Sequence, residues 1–183
     1  MTLLEKVKHH FENRNYLQIT RSVSENKHLT CNGYIVDFTK DFIILHEMDD
    51  FRMQGFIIFP IESIENIRYN NTDKYFDKIM AWENEKGNIG LKTEVDLTNW
   101  SSIFKTFKKK KKNIIVECEN PEIDSFTIGP VEKVISKSVS IRYFNSKGFL
   151  NEELTKIDFA EVTKVMFDDR YIEVFSKYLR TRK

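Results

Sequence analysis

The side chains best equipped for chemistry in this chain are few, and their spacing sorts them. The histidines are His9, His10, His28 and His46. Adjacent residues on a helix point to different faces, so His9 and His10 do not comfortably ligate one metal. His46 stands beside Glu47 and near Asp49 and Asp50, which together offer imidazole and carboxylate to a cation. The same acids are what a solvated turn uses to bond its own backbone, and that reading is adopted here. Asp168-Asp169-Arg170 sets two carboxylates beside a cation, but acids in this place also cap a helix start, a role assigned to Asp168. Cys31 and Cys118 lie far apart in no metal spacing and suit semi-core thiols in a reducing compartment. No glycine-rich phosphate loop, Gly-x-Ser-x-Gly elbow or Cys–His pair is present. Lacking a positioned base and nucleophile, the chain is expected not to be an enzyme and to hold no cofactor and no metal.

Two segments carry binding chemistry instead. Lys108, Lys109, Lys110, Lys111 and Lys112 form one cationic run. It follows Phe104 and Phe107, so it presents five ammonium groups at a helix end. Such a run contacts phosphates, or simply complements the negative end of the helix dipole and keeps the chain in solution. Phe104, Phe107 and Tyr143 could stack on bases, although a Phe pair three residues apart also makes a core stripe. Phe51, Arg52 and Met53 sit at a loop tip, where exposed apolar side chains mark a protein contact or else turn into the core.

Charge is uneven along the chain. Residues 1–97 hold 12 Lys and Arg against 16 Asp and Glu, a net of −4, whereas residues 98–183 hold 17 against 12, a net of +5. A basic second half hints at an anionic partner. No apolar stretch reaches bilayer-spanning length and the N-terminal residues lack a signal-peptide core, so the expected location is the cytoplasm, away from membranes.

The elements that must position these groups read as one plan stated twice. Gly33-Tyr34-Ile35 answers Gly129-Pro130-Val131, Ile64 and Ile67 answer Val162 and Val165, and Tyr75 and Tyr171 each follow their glycine by 42 positions. Residues 2–13 predict an amphipathic helix capped by Thr2 with Glu5 in the capping box. Residues 16–23 predict a strand, 24–32 a polar loop, 33–38 and 42–48 a hairpin, 49–53 a turn and 54–60 a further strand. Ile61, Ile64 and Ile67 predict a tight helical turn entering a short strand. Asp73 is the expected cap of a helix to about Trp82. In the second half, Thr98 or Asn99 caps a helix, and strands follow at 113–119, 126–135, 139–144 and 149–157, before a last helix carrying Tyr171, Ile172, Phe175 and Leu179. The expected fold is α+β and β-rich. It comprises two tandem small five-stranded barrel-like units, 1–90 and 91–183, each with a leading and a trailing helix.

A leading helix followed by five short strands resembles the Sm-like fold. Gly33-x-Ile35-x-x-Phe38 is similar to the opening of that family's first motif, and Gln54-Gly55-x-x-Ile58 to its second, where Arg-Gly is usual. SH3-like barrels with an Ile-x-x-[Ile/Val] final turn match equally well. The resemblance implies a small barrel and RNA binding. However, the family's RNA-contacting Asp and Asn positions hold Thr39 and Ile43 here, and in the second half Val134 follows Gly129 and Val131 with neither residue in place. No uridine-binding residue is carried over. The expected function is therefore non-catalytic macromolecular binding, an adaptor acting by surface complementarity and able to neutralise a partner protein. The alternative is RNA or single-stranded nucleic-acid binding through the basic second unit.

Overall fold

Thr2 starts the first helix by a reciprocal exchange. Its hydroxyl accepts the Glu5 N–H, and the Glu5 carboxylate accepts the Thr2 N–H at 2.7 Å. In the computed structural model, which describes residues 1–90 and 92–181, the chain divides into two compact units, Met1–Glu94 and Val95–Lys183. The division falls inside the glycine-bearing connection 83–95. The described residues carry four α-helices and ten strands, a strand-rich α+β protein.

The first unit runs α1 (Leu3–Glu12), β1 (Tyr16–Ser24), β2 (Lys27–Phe38), β3 (Phe42–Asp49), β4 (Arg52–Pro60), a 3-10 turn (Ile61–Ser63), β5 (Ile64–Arg68) and α2 (Asn71–Trp82). Its strands lie in the order β5-β1-β2-β3-β4, and all four neighbouring pairs run antiparallel. The second unit runs α3 (Trp100–Lys110), β6 (Asn113–Cys118), β7 (Ser125–Val134), β8 (Ser138–Ile141), β9 (Thr155–Asp158), β10 (Lys164–Phe167) and α4 (Arg170–Ser176), with strand order β10-β6-β7-β8-β9. Each unit therefore returns its fifth strand to the side of its first. Neither five-strand order closes on itself, so each unit's sheet is open rather than a sealed barrel.

The expected loop at 24–32 is mostly strand. β2 begins at Lys27, and Thr20 pairs with Thr30. Its polar residues hid a half-buried alternation in which His28 and Thr30 face solvent while Leu29 and Cys31 turn inward. The expected strand at 149–157 shortens to β9. Arg142 Nη1 binds the carbonyls of Asn151 and Glu152 at 3.1 Å each, which engages them outside the ladder. Two caps also differ from expectation. Asn70, with Asp73 at the third helical position, caps α2, and Asp169 rather than Asp168 caps α4, accepting the Tyr171 N–H at 2.7 Å.

Each unit fixes its second and third strands at one glycine. An added Cβ on Gly33 would meet the His46 carbonyl oxygen at 2.1 Å, and one on Gly129 would meet the Arg142 carbonyl oxygen at 2.1 Å. These pairs stand 96 positions apart in sequence, and so do the bulges that follow, between Ile35 and Asp37 on β2 and between Val131 and Lys133 on β7. The turn before the fifth strand also recurs, with Ile64 N–H bonding to Ile61 O and Val162 N–H to Phe159 O. Both cores are apolar, and each holds a buried cysteine, Cys31 or Cys118.

Because a methyl cannot fit against a backbone carbonyl at 2.1 Å, Gly33→Ala and Gly129→Ala are each expected to destabilise the chain by about 2–3 kcal/mol in urea titrations. Gly87→Ala, where nothing lies within 4 Å of the new methyl, should be neutral or stabilise by under about 1 kcal/mol.

Candidate functional site

The Phe51-Arg52-Met53 segment runs from a two-residue hairpin turn into β4. Asp49 pairs with Arg52, so only Asp50 and Phe51 form the turn, at φ of 45° and 59°. Paired left-handed residues match the twist of a tight hairpin, although a bulky side chain adopts that conformation at a cost. Phe51 is held by an edge-to-face contact with Phe76, centroids 5.4 Å apart. Met53 turns inward against the cluster of Tyr16, Tyr34, Met48, Met80 and Ile89. Phe51 and Arg52 are exposed, and Met53 is half-buried.

Behind this tip lies a cleft of about 600 Å³ between His46, Arg52, Gln54, Glu85, Lys92 and residues 87–90. His46 is buried and stacks on Phe56 at 4.1 Å. Gly90 N–H points to Nδ1 at 3.4 Å, and Nε2 lies 3.0 Å from the Gln54 carbonyl. A neutral imidazole protonated on Nε2 satisfies both neighbours. Burial pushes its pKa below the ordinary value; the Gln54 hydrogen bond opposes this, and the Lys92 charge adds to it. Among the described residues no group of three or more His, Cys, Asp or Glu converges to hold a metal ion.

In the second unit the lysine run divides. Lys108, Lys109 and Lys110 end α3, and Lys111 sits beyond it at φ 51°. The Lys112 N–H turns back to the Phe107 carbonyl at 3.1 Å, closing the helix end. These first four lysines are exposed, whereas the Lys112 ammonium is bound to Asp168. Phe104 and Phe107 are fully buried, so they pack the core and cannot stack on bases. Lys111, Lys112, Asn113, Asp168, Ser176 and Lys177 border a cleft of about 570 Å³, into which Glu173 also faces. Asp168 binds a lysine while Asp169 caps α4, so the two acids serve separate structural partners.

The trailing helix of the first unit holds what the sequence reading missed. Its inward face is polar as well as apolar. Asp73 is fully buried, takes a bidentate contact from Arg68 and accepts the Asn70 N–H at 2.8 Å. Asp77 accepts the Tyr34 hydroxyl at 2.9 Å and the Lys86 ammonium at 2.7 Å. Burial, with the charge of Asp77, raises the Tyr34 pKa well above its usual range, and burial with the Asp73 charge pushes Tyr16 up to about 12. The outward face carries Tyr75, 55% exposed, and Trp82, 65% exposed. Their rings meet edge to face, centroids 6.2 Å apart. In the second unit Tyr171 is 51% and Tyr178 71% exposed, each 96 positions after its counterpart. Tyr75 and Tyr171 had been visible as paired features; Trp82 and Tyr178 become so once the exposed faces are known.

No helix among the described residues is long and apolar enough to cross a membrane. Comparison of the chain with protein-family models, curated proteins and solved structures finds no match.

His46 binds its proton more weakly folded than unfolded, so its contribution is complete above the ordinary histidine pKa of about 6.5 and is lost as pH falls through the lowered folded value. His10, also lowered by burial, adds in the same direction. Melting temperature is expected to drop between pH 7.5 and 5, and less so in His46→Gln. Asp73→Ala should cost about 1–3 kcal/mol, because the Asn70 N–H loses its acceptor and the Arg68 guanidinium, 36% exposed, exchanges its carboxylate for water.

Proposed function

We propose that this chain is a non-catalytic binding protein, an adaptor that holds another protein by surface complementarity and can neutralise it by covering it. Its two units are read as copies of one module with an Sm-like or SH3-like order of strands, its sheet curled but open. The matching strand orders, bulges and glycine contacts support that reading. Two buried thiols suit a reducing compartment such as the cytoplasm.

The observation that carries the binding reading is the repeated exposed pair, Tyr75 with Trp82 and Tyr171 with Tyr178. Large aromatics in solvent contribute little to the fold, while Tyr and Trp dominate the energetics of protein interfaces. The polar groups with chemical capacity are meanwhile occupied: Asp73 by Arg68, Asp77 by Tyr34 and Lys86, Asp168 by Lys112, and His46 by backbone neighbours. Affinity purification from the native source is expected to yield a protein partner. That partner should be lost from a variant with all four aromatics changed to Ala, while the melting temperature moves by no more than the equivalent of about 0.5 kcal/mol per site.

A second reading, single-stranded nucleic acid on the second unit, is favoured by one observation. Lys177 joins Lys111 and Lys112 around one cleft, extending the exposed run at 108–111. Changing Lys108, Lys109, Lys110 and Lys111 to Gln should then abolish co-purified nucleic acid, seen as a lowered 260/280 absorbance ratio. The wild-type affinity should also fall steeply with added salt.

A further inference from the structure

We infer that the outward face of α2 is a cationic aromatic knob that docks into an apolar pocket on an acidic protein surface. This inference rests on the protein-binding reading above and names the chemistry of the partner. The sequence of α2 is balanced in charge, with Asp73, Lys74, Asp77 and Lys78. The fold separates the signs. Both acids turn inward to the unit's own donors, Arg68, Tyr34 and Lys86. Lys74 and Lys78 remain on the exposed side, beside Tyr75 and Trp82. Asn71, Tyr75, Lys78 and Trp82 follow one another at four, three and four residues, which places them along one stripe of the helix. The nearby acids Glu83 and Glu85 belong to a different cleft, shared with Phe51, Arg52 and Ile79.

The ring geometry selects the class of partner. A single nucleic-acid strand needs open ring faces on which bases stack. Tyr75 and Trp82 meet at 82°, the edge of one ring against the face of the other, which covers one ring face and joins the two into one compact apolar projection rather than a row of parallel platforms. Such a projection fills a pocket in a protein, and the flanking ammonium groups pair with carboxylates at the pocket rim. Lys74 keeps its ammonium 5.4 Å from the Tyr69 ring centroid, which orients it before a partner arrives.

The test uses the whole chain as bait for a random-peptide library displayed on phage. Peptides rich in Asp and Glu together with Leu or Phe should be enriched. Synthesised and titrated into a Trp100→Phe background, they should shift the emission of Trp82, the remaining tryptophan. Trp82→Ala should weaken binding about tenfold or more, Lys74→Glu with Lys78→Glu should do the same, and added salt should weaken the wild type. All three side chains are exposed, so unchanged melting temperatures confirm that the variants fold. The inference is overturned if the selected peptides lack acids, bind Trp82→Ala as well as wild type, or are not enriched at all. It is also overturned if single-stranded oligo-dT or poly-U shifts Trp82 emission and displaces them. If a native protein partner survives the change of Tyr75 and Trp82 to Ala, the adaptor reading stands and this surface assignment falls. If no protein partner is recovered under any condition, the adaptor reading itself fails.

Discussion

One contact of backbone on backbone underlies each unit: a glycine pressed against the carbonyl of the neighbouring strand. Gly33 lies over His46, and Gly129 over Arg142. The absence of a side chain lets the second and third strands approach closely, and the bulge two residues on then increases the local twist. That twist helps a five-strand sheet bend so that its fifth strand can lie against its first. In the first unit it also aims β3. His46 contributes the carbonyl that receives Gly33, and its imidazole is carried to the cleft behind the hairpin tip. The same residue thus anchors the sheet through its backbone and fills the cleft wall through its ring.

Above that sheet, the trailing helix sorts charge by direction. Buried carboxylates are tolerable only where donors meet them, and Asp73 and Asp77 find theirs on β2, at the end of β5 and just after the helix. These bonds set the rotation of α2 about its axis. Once that rotation is set, the lysines and the two aromatics have only the solvent side left to occupy. The surface chemistry is a by-product of how the interior is satisfied, and a change in the buried donors would reorient what the helix displays.

Much of this was legible from residue spacing. The glycines, the aliphatic pairs Ile64/Ile67 and Val162/Val165, and the capped amphipathic helices all announce themselves through local period. What stayed hidden depends on partners distant in sequence. Residues 27–32 look like a loop because their outward positions are polar, and only pairing with β1 reveals the strand. Residues 149–154 look like a strand until Arg142 engages two of their carbonyls. Asp168 looks like a cap because it begins the helix region, but Lys112 lies within reach and the neighbouring Asp169 takes the role. Trp82 reads as the end of a helix face, and its exposure follows only after Arg68, Tyr34 and Lys86 have been placed.

The distribution of thiols has a practical consequence. Cys31 lies in β2 and Cys118 in β6, one in each unit, and both are buried. Burial also holds the Cys118 thiol above its ordinary pKa, which keeps it in its less nucleophilic form. An alkylating reagent therefore reaches either sulfur only after its strand has lifted away from its surroundings. Labelling rates resolved peptide by peptide would clock the opening of each half independently, with no engineered probe.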